Sequence, residues 1–127
     1  MKNPLYYKCS QVFDLVEESN YLKSLKTALY EITYPEDKDF KRIYCICVET
    51  DKNKTKINQI IREIFDCDKI TYESLGLTNG LLKVLLYELY FSGRRLKMGG
   101  KEIKYIKSKK EEINSILGNI SKKSEFI

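Results

Sequence analysis

Leu81-Leu82-Lys83-Val84-Leu85-Leu86-Tyr87-Glu88-Leu89-Tyr90-Phe91, closed by Ser92-Gly93, is the stretch that decides the fold. Only Lys83 and Glu88 are charged in it, and apolar side chains stand on nearly every side of the helix it forms. A helix apolar all round must sit inside a bundle, because a wet face would leave leucines in water. The chain beyond it turns abruptly basic, with Arg94, Arg95 and Lys97, then Gly99-Gly100, then Lys101, Lys104, Lys107, Lys109 and Lys110. From Arg94 to Lys110 eight basic residues meet a single acid, Glu102, a charge of +7 in a chain whose formal net charge is +5. The remainder therefore sums to −2, so the basicity is local. Concentrated charge builds a potential that scattered charge does not, and the expected partner is a polyanion. A solvated, lysine-rich helix face is the bland alternative.

Outward from this core the pattern stays helical. Cys9, Val12, Phe13 and Val16 keep the three-and-four spacing of one face. Ser19-Asn20 reads as a cap, with Leu22, Leu25, Ala28, Leu29 and Ile32 continuing the period until Tyr34-Pro35-Glu36-Asp37 breaks it. Phe40, Ile43, Tyr44, Cys47 and Val48 mark a third helix. After the polar Asp51–Lys54 connector, Thr55 can cap a fourth, whose stripe Ile57, Ile60, Ile61, Ile64 and Phe65 is the cleanest in the chain. Cys67 to Leu77 is irregular, with Ile70, Tyr72, Leu75 and Leu77 expected against the core. Thr78-Asn79 opens the central helix, and a last helix runs from about Lys101 to Leu117, turning Ile103, Ile106, Ile113 and Leu117 inward. Isoleucine is a modest helix former, yet the period of these runs is 3.6 and not 2, which argues against a sheet. The expectation is an all-α bundle of five to seven helices around Leu81–Phe91, with one domain over residues 1–120 and a tail or linker over 121–127.

Composition removes several function classes. At 127 residues, 43% hydrophobic and 32% charged, the chain is long enough and apolar enough for one folded domain. The N-terminus has no apolar signal segment, no run is long enough to span a bilayer, and no membrane partner is expected. Histidine is absent and Cys9, Cys45, Cys47 and Cys67 form no C-x-x-C pair, so a structural zinc site is not expected. The cysteines read as small hydrophobes in a reducing, intracellular compartment. Glu49 and Glu88 each sit in a mostly apolar helix. With no nucleophile or histidine beside them they read as structural, paired with Lys83 or Arg42 or bonded to a tyrosine, and no catalytic residue is assigned.

Two strings carry a family likeness. Ile43-Tyr44-Cys45-Ile46-Cys47-Val48-Glu49-Thr50 resembles the apolar-Tyr-x-apolar-apolar-x-Glu-Thr helix near the start of NOL1/NOP2/Sun-family RNA cytosine-C5 methyltransferases of the NSUN5 and Rcm1 branch. Lys83-Val84-Leu85-Leu86-Tyr87-Glu88-Leu89 resembles that branch's Lys-Val-Leu-apolar-Tyr-Glu-Leu segment, which a glycine-containing basic stretch and a lysine-rich helix follow. The likeness spans roughly residues 5–117. It implies a helical extension, similar to a NusB-like domain, that positions RNA ahead of a catalytic domain binding S-adenosylmethionine. That domain is expected to lie outside this chain, which has no glycine-rich turn after a strand and no Pro-Cys pair. The implied partners are RNA, of the ribosomal class, and the catalytic domain itself. The implied location is the nucleus or nucleolus if the source is eukaryotic.

The candidate RNA-binding residues are Arg94, Arg95, Lys97, Gly99, Gly100, Lys101, Lys104, Tyr105, Lys107, Lys109 and Lys110. Arginine forks suit phosphate oxygens, and the two glycines allow close backbone approach. Tyr105, within the cationic helix, is the candidate for stacking on a base, whereas Tyr44 and Tyr87 read as core residues. The same face could instead dock an acidic protein partner, as a non-catalytic interaction bundle. The arginines could equally bond exposed helix carboxyl ends.

Overall fold

Leu82, Val84, Leu85 and Leu86 are fully buried, and Leu81, Tyr87 and Glu88 nearly so, which makes their helix the axle around which the others pack. The structure, a computed structural model, describes residues 4–93 and 99–125. All regular structure among them is helical: α1 (Pro4–Glu18), α2 (Leu25–Ile32), α3 (Phe40–Lys52), α4 (Lys54–Ile60), α5 (Lys69–Ser74), α6 (Asn79–Tyr90), α7 (Lys101–Lys107) and α8 (Lys110–Glu125). The all-α expectation holds, with α6 as the central buried helix. No helix among the described residues is long and apolar enough to cross a membrane.

The start of α6 is fixed twice. The Thr78 hydroxyl accepts from the Leu81 N–H at 3.1 Å, capping the helix where the sequence places it. Asp14 of α1 then takes the Gly80 N–H on Oδ1 at 3.1 Å and the Thr78 hydroxyl on Oδ2 at 3.0 Å. Asn79 adds a 2.9 Å bond to Glu17. The two helices come so close here that a Cβ at position 80 would stand 2.5 Å from the Ser10 carbonyl oxygen and from Asp14 Oδ1. Glycine is the only residue that fits.

Around α6, α1 buries Tyr6, Cys9, Val12 and Phe13, and α3 buries Ile43, Ile46, Cys47 and Thr50. Helix α4 runs straight into a π-helical turn, Ile61–Phe65, and the full stripe Ile57, Ile60, Ile61, Ile64 and Phe65 is buried as expected. Helix α8 packs on α4 through Ile113, which is fully buried.

Several local expectations need correction. Ser19-Asn20 ends α1 instead of capping α2: Asn20 and Tyr21 take positive φ, of 59° and 64°. Ser24 is the cap, its side chain accepting from the Thr27 N–H at 3.1 Å. Leu22 is left in the turn before the helix, 90% exposed. Thr55 caps nothing, since α4 starts at Lys54 directly after α3, where the Asn53 side chain donates to the Glu49 carbonyl at 2.8 Å. The Cys67–Leu77 stretch is ordered as a 3-10 turn, Asp66–Asp68, and α5; Tyr72 and Leu77 are buried, but Ile70 is 86% exposed on the outer side of that short helix. Tyr44 is not core. It stands 43% exposed beside Phe40, rings 6.1 Å apart, because the buried face of α3 runs through Ile46 and Thr50 instead.

The last helix is two. The Ser108 hydroxyl bonds the Tyr105 carbonyl at 2.5 Å, the acceptor that the Lys109 N–H would use in an unbroken helix. Lys109 turns its N–H to Ile106 instead, at 3.0 Å, and α8 starts one residue later. Serine competing for a backbone acceptor is a known way to interrupt a helix.

Candidate nucleic-acid interface

The basic segment follows α6 in sequence, and the end of that helix is half-buried. Ser92 closes that helix, its N–H on the Tyr87 carbonyl at 2.9 Å and its hydroxyl on the Glu88 carbonyl at 2.8 Å, and Gly93 takes a positive φ of 71°. Arg94, Arg95 and Lys97 lie outside the described residues. Gly99 and Gly100 are both exposed, and Gly100, at φ +122°, is the residue from which α7 starts. That backbone value suits glycine and strains any other residue.

Helix α7 turns Ile103 and Ile106 into the core and leaves Lys101, Lys104 and Lys107 on the opposite side, all exposed. At three-residue spacing these lysines climb one side of the helix. No ion pair with a described residue neutralises any of them. Lys109 is different: half-buried, it lies near enough to Asp68 for its charge to favour the ionised carboxylate. Lys110 is exposed but is followed by Glu111 and Glu112, which dilute the field at the start of α8. The structure thus gathers Lys101, Lys104 and Lys107 into one row and sets Lys109 and Lys110 apart from it.

Tyr105 is anchored inward. Its hydroxyl donates to Asp68 Oδ2 at 2.7 Å, and its ring meets Phe65 edge-on at 5.8 Å. Burial and the Asp68 carboxylate raise the phenol above its ordinary value of 10.0, while the Tyr105 hydroxyl, then Thr71, hold Asp68 below 3.8. The residue expected to stack on a base therefore serves to pin the lysine-bearing helix to the bundle.

The opposite charge collects elsewhere. A wide cleft of about 820 Å³ is lined by Asp14, Glu17, Glu18, Asp66 and Glu73, with Lys69 as its cation. Acids thus outnumber cations in this cleft, whereas exposed lysines stand on α7.

Among the described residues, polar groups from three helices meet in the core. Tyr6 donates to Glu88 Oε2 at 3.2 Å, the tyrosine partner expected for one of the two glutamates; Glu49 instead pairs with Lys52 at 3.3 Å on the surface. The Cys9 thiol, fully buried, is pushed far up by its hydrogen bond with Cys47, by burial, and by the nearby Cys47 and Glu88. A thiol held protonated is a poor nucleophile. Sequence reasoning missed this cluster because its members come from three distant segments, α1, α3 and α6.

Residues 41–125 match the family model described as NOL1/NOP2/Sun domain family member 5, N-terminal domain. The matched part begins in α3 and takes in α6, the basic segment, α7 and α8. No curated protein and no solved structure matches the chain.

Proposed function

Because that match covers more than half of the chain, the protein belongs to the family of NOL1/NOP2/Sun domain family member 5 N-terminal domains, and we propose that it grips and positions RNA for an attached methyltransferase. The reaction is methyl transfer from S-adenosylmethionine to C5 of a cytosine, with ribosomal RNA as the substrate class. The described residues contain no strand followed by a glycine-rich turn that could hold that cofactor, and their buried cysteines are not set up to attack a base. The chemistry therefore belongs to the catalytic domain, and this chain contributes binding. In a eukaryote its place of work is the nucleolus.

One observation carries this reading: the row Lys101, Lys104, Lys107, exposed and without ion pairs among the described residues, on a helix fixed by Ile103, Ile106 and Tyr105. Ammonium groups carried on a fixed helix can meet successive phosphates at no ordering cost to the protein backbone, though each side chain still loses rotamer freedom. Such contacts set register and orientation, while base contacts set sequence, so the grip is expected to be largely indifferent to sequence.

The test is fluorescence anisotropy with a labelled single-stranded RNA across a salt series. Replacing the three lysines by glutamine lowers affinity and reduces the salt slope by about 0.7 for each phosphate that is no longer neutralised. Unchanged affinity and slope would refute the proposal. Intact RNA binding in the variant, together with loss of association with the catalytic domain, would mark the row as a protein-docking surface.

A further inference from the structure

Helices α2 and α3 leave a line of aromatic rings on the surface where they meet. Tyr30 of α2 lies 5.8 Å from Phe40, the first residue of α3, and Phe40 lies 6.1 Å from Tyr44, one turn further on. The planes turn by only 32° and 31° from ring to ring, so the three form one continuous strip. Phe40 is half-buried and anchors it, while Tyr30 and Tyr44 are 45% and 43% exposed. Neither phenol hydroxyl bonds a described residue.

Packing accounts for part of this arrangement only. The Tyr30–Phe40 contact fastens α2 to the start of α3, and such aromatic pairs stabilise a fold beyond their burial. Tyr44 fastens no further element, since it stands on the same helix as Phe40. At an exposed helix position, lysine or glutamate would favour the helix more than a tyrosine does.

Charge distinguishes the partner that the strip fits. Glu31 holds Lys23 at 2.7 Å, and Asp37 accepts the Thr33 hydroxyl at 2.7 Å with Lys8 at 4.0 Å. Lys26 precedes Tyr30 by four residues and Lys41 precedes Tyr44 by three, spacings that put side chains on one helix face. Both lysines are exposed and make no ion pair with a described residue. Between Lys26 and Tyr44 the charges outside ion pairs are basic at Lys26, Lys38, Lys41 and Arg42, and acidic only at Glu36 and Asp39. Open rings beside free cations suit flat aromatic groups carried on a polyanionic strand. A neutral proline-rich peptide would cover the rings and leave the cations idle.

We propose that Tyr30, Phe40 and Tyr44 form a stacking platform for unpaired bases of RNA, with Lys26 and Lys41 meeting the adjoining phosphates. Stacking uses the face of a base, which every base has, so this platform is indifferent to sequence. It requires bases that are not already paired, and so selects open strand over duplex. The α7 lysines make no such distinction, because phosphates line both. The inference rests on the RNA-positioning role proposed above and adds this selectivity to it. Stacking, expected at Tyr105, falls instead to α2 and α3.

The test uses the whole chain and three probes: a short single-stranded RNA, the same RNA paired with its complement, and a ribose-phosphate strand of equal length without bases. Ring-proton spectra report stacking, and fluorescence anisotropy across a salt series reports affinity. Single-stranded RNA is expected to shift the ring protons of Tyr30, Phe40 and Tyr44, and the other two probes to shift them far less. Tyr44→Leu is expected to weaken single-strand binding about tenfold at an unchanged salt slope, because it removes a ring and no charge. Tyr44→Phe is expected to bind as the wild type does, with thermal melting showing both variants folded. A ring with a purely structural task cannot give that split. The inference fails if RNA leaves the ring protons unmoved or if Tyr44→Leu binds as the wild type does. It fails equally if only a proline-rich peptide, or a rise in protein concentration, moves the rings. RNA held by the α7 lysines with the rings silent would sink the platform and leave the RNA-positioning role standing. Absence of any RNA binding would sink both.

Discussion

Tyr105 and Asp68, separated by 37 positions in sequence, share a 2.7 Å hydrogen bond that ties the lysine-bearing helix α7 to the turn after the π-helical segment. Each partner shifts the other in the sense that strengthens the bond: Asp68 is held below 3.8 and the phenol above 10.0. The depressed carboxylate contributes stability above pH 3.8 that is lost as pH falls through its lowered folded-state value. The raised phenol contributes stability below pH 10.0 that is lost as pH rises through its folded-state value. Tyr105→Phe is therefore expected to melt below the wild type at neutral pH, with the gap narrowing toward both extremes. Thermal melts from pH 3 upward check this, and a gap independent of pH would contradict it. The same variant loosens the mounting of Lys101, Lys104 and Lys107 without removing a charge, so any drop in RNA affinity reports rigidity alone.

Gly80 illustrates a substitution whose usual sign is reversed. In an exposed helix, glycine to alanine stabilises by about 1 kcal/mol. Here the new Cβ would stand 2.5 Å from the Ser10 carbonyl oxygen, a backbone atom that cannot swing away. Gly80→Ala is expected to destabilise by about 1–3 kcal/mol, the cost of overpacking, read as a lower urea midpoint at unchanged slope. A stability equal to or above the wild type would show that α1 and α6 can slide apart freely.

Thiol reactivity should divide the four cysteines. Cys45 and Cys67 are exposed, and Cys9 and Cys47 are fully buried. The Cys9 thiol is further held protonated by its hydrogen bond with the free Cys47 thiol, by burial and by the nearby Cys47 and Glu88. Mass spectrometry after brief alkylation under native conditions is expected to find label on Cys45 and Cys67, with Cys9 and Cys47 modified only on unfolding. Equal labelling of Cys9 would mean that α1 opens readily from α3.

What the sequence makes legible follows from how far each signal reaches. Periodicity is local, and the stripe from Ile57 to Phe65 is buried throughout, even where a π turn interrupts the α-helical geometry. Burial also requires a neighbour, and apolarity cannot say whether one is present: Leu22 and Ile70 carry the right side chains in places that nothing covers. Tyr44 fails for a related reason, since Ile46 and Thr50 can complete the buried face of α3 equally well and the phenol gains from staying near water. The basic character of the segment after α6 is legible at once. Its subdivision is not, because Lys109 is set apart by Asp68, more than forty positions away, and the break at Ser108 depends on one hydroxyl taking one carbonyl.

Asp14 provides a pH signature for the α1–α6 junction. Its carboxylate accepts from the Gly80 N–H and the Thr78 hydroxyl, and these bonds favour ionisation, but burial outweighs them and Glu17 and Glu18 add to it, so its folded-state value lies above 3.8. A raised carboxyl binds its proton more tightly in the folded chain. Between 3.8 and the folded-state value the unfolded chain has already ionised while the folded one has not, and stability falls as pH rises through that window. Above it the effect is constant. Asparagine at this position keeps an acceptor for the Gly80 N–H and carries no charge to bury. The stability of wild type minus that of Asp14→Asn is therefore expected to be largest at acid pH, to decline as pH rises past 3.8, and then to level off. Urea unfolding at intervals across the carboxylate range measures it. A difference that grows with pH would mean that the hydrogen bonds from Thr78 and Gly80, and not burial, govern this carboxylate.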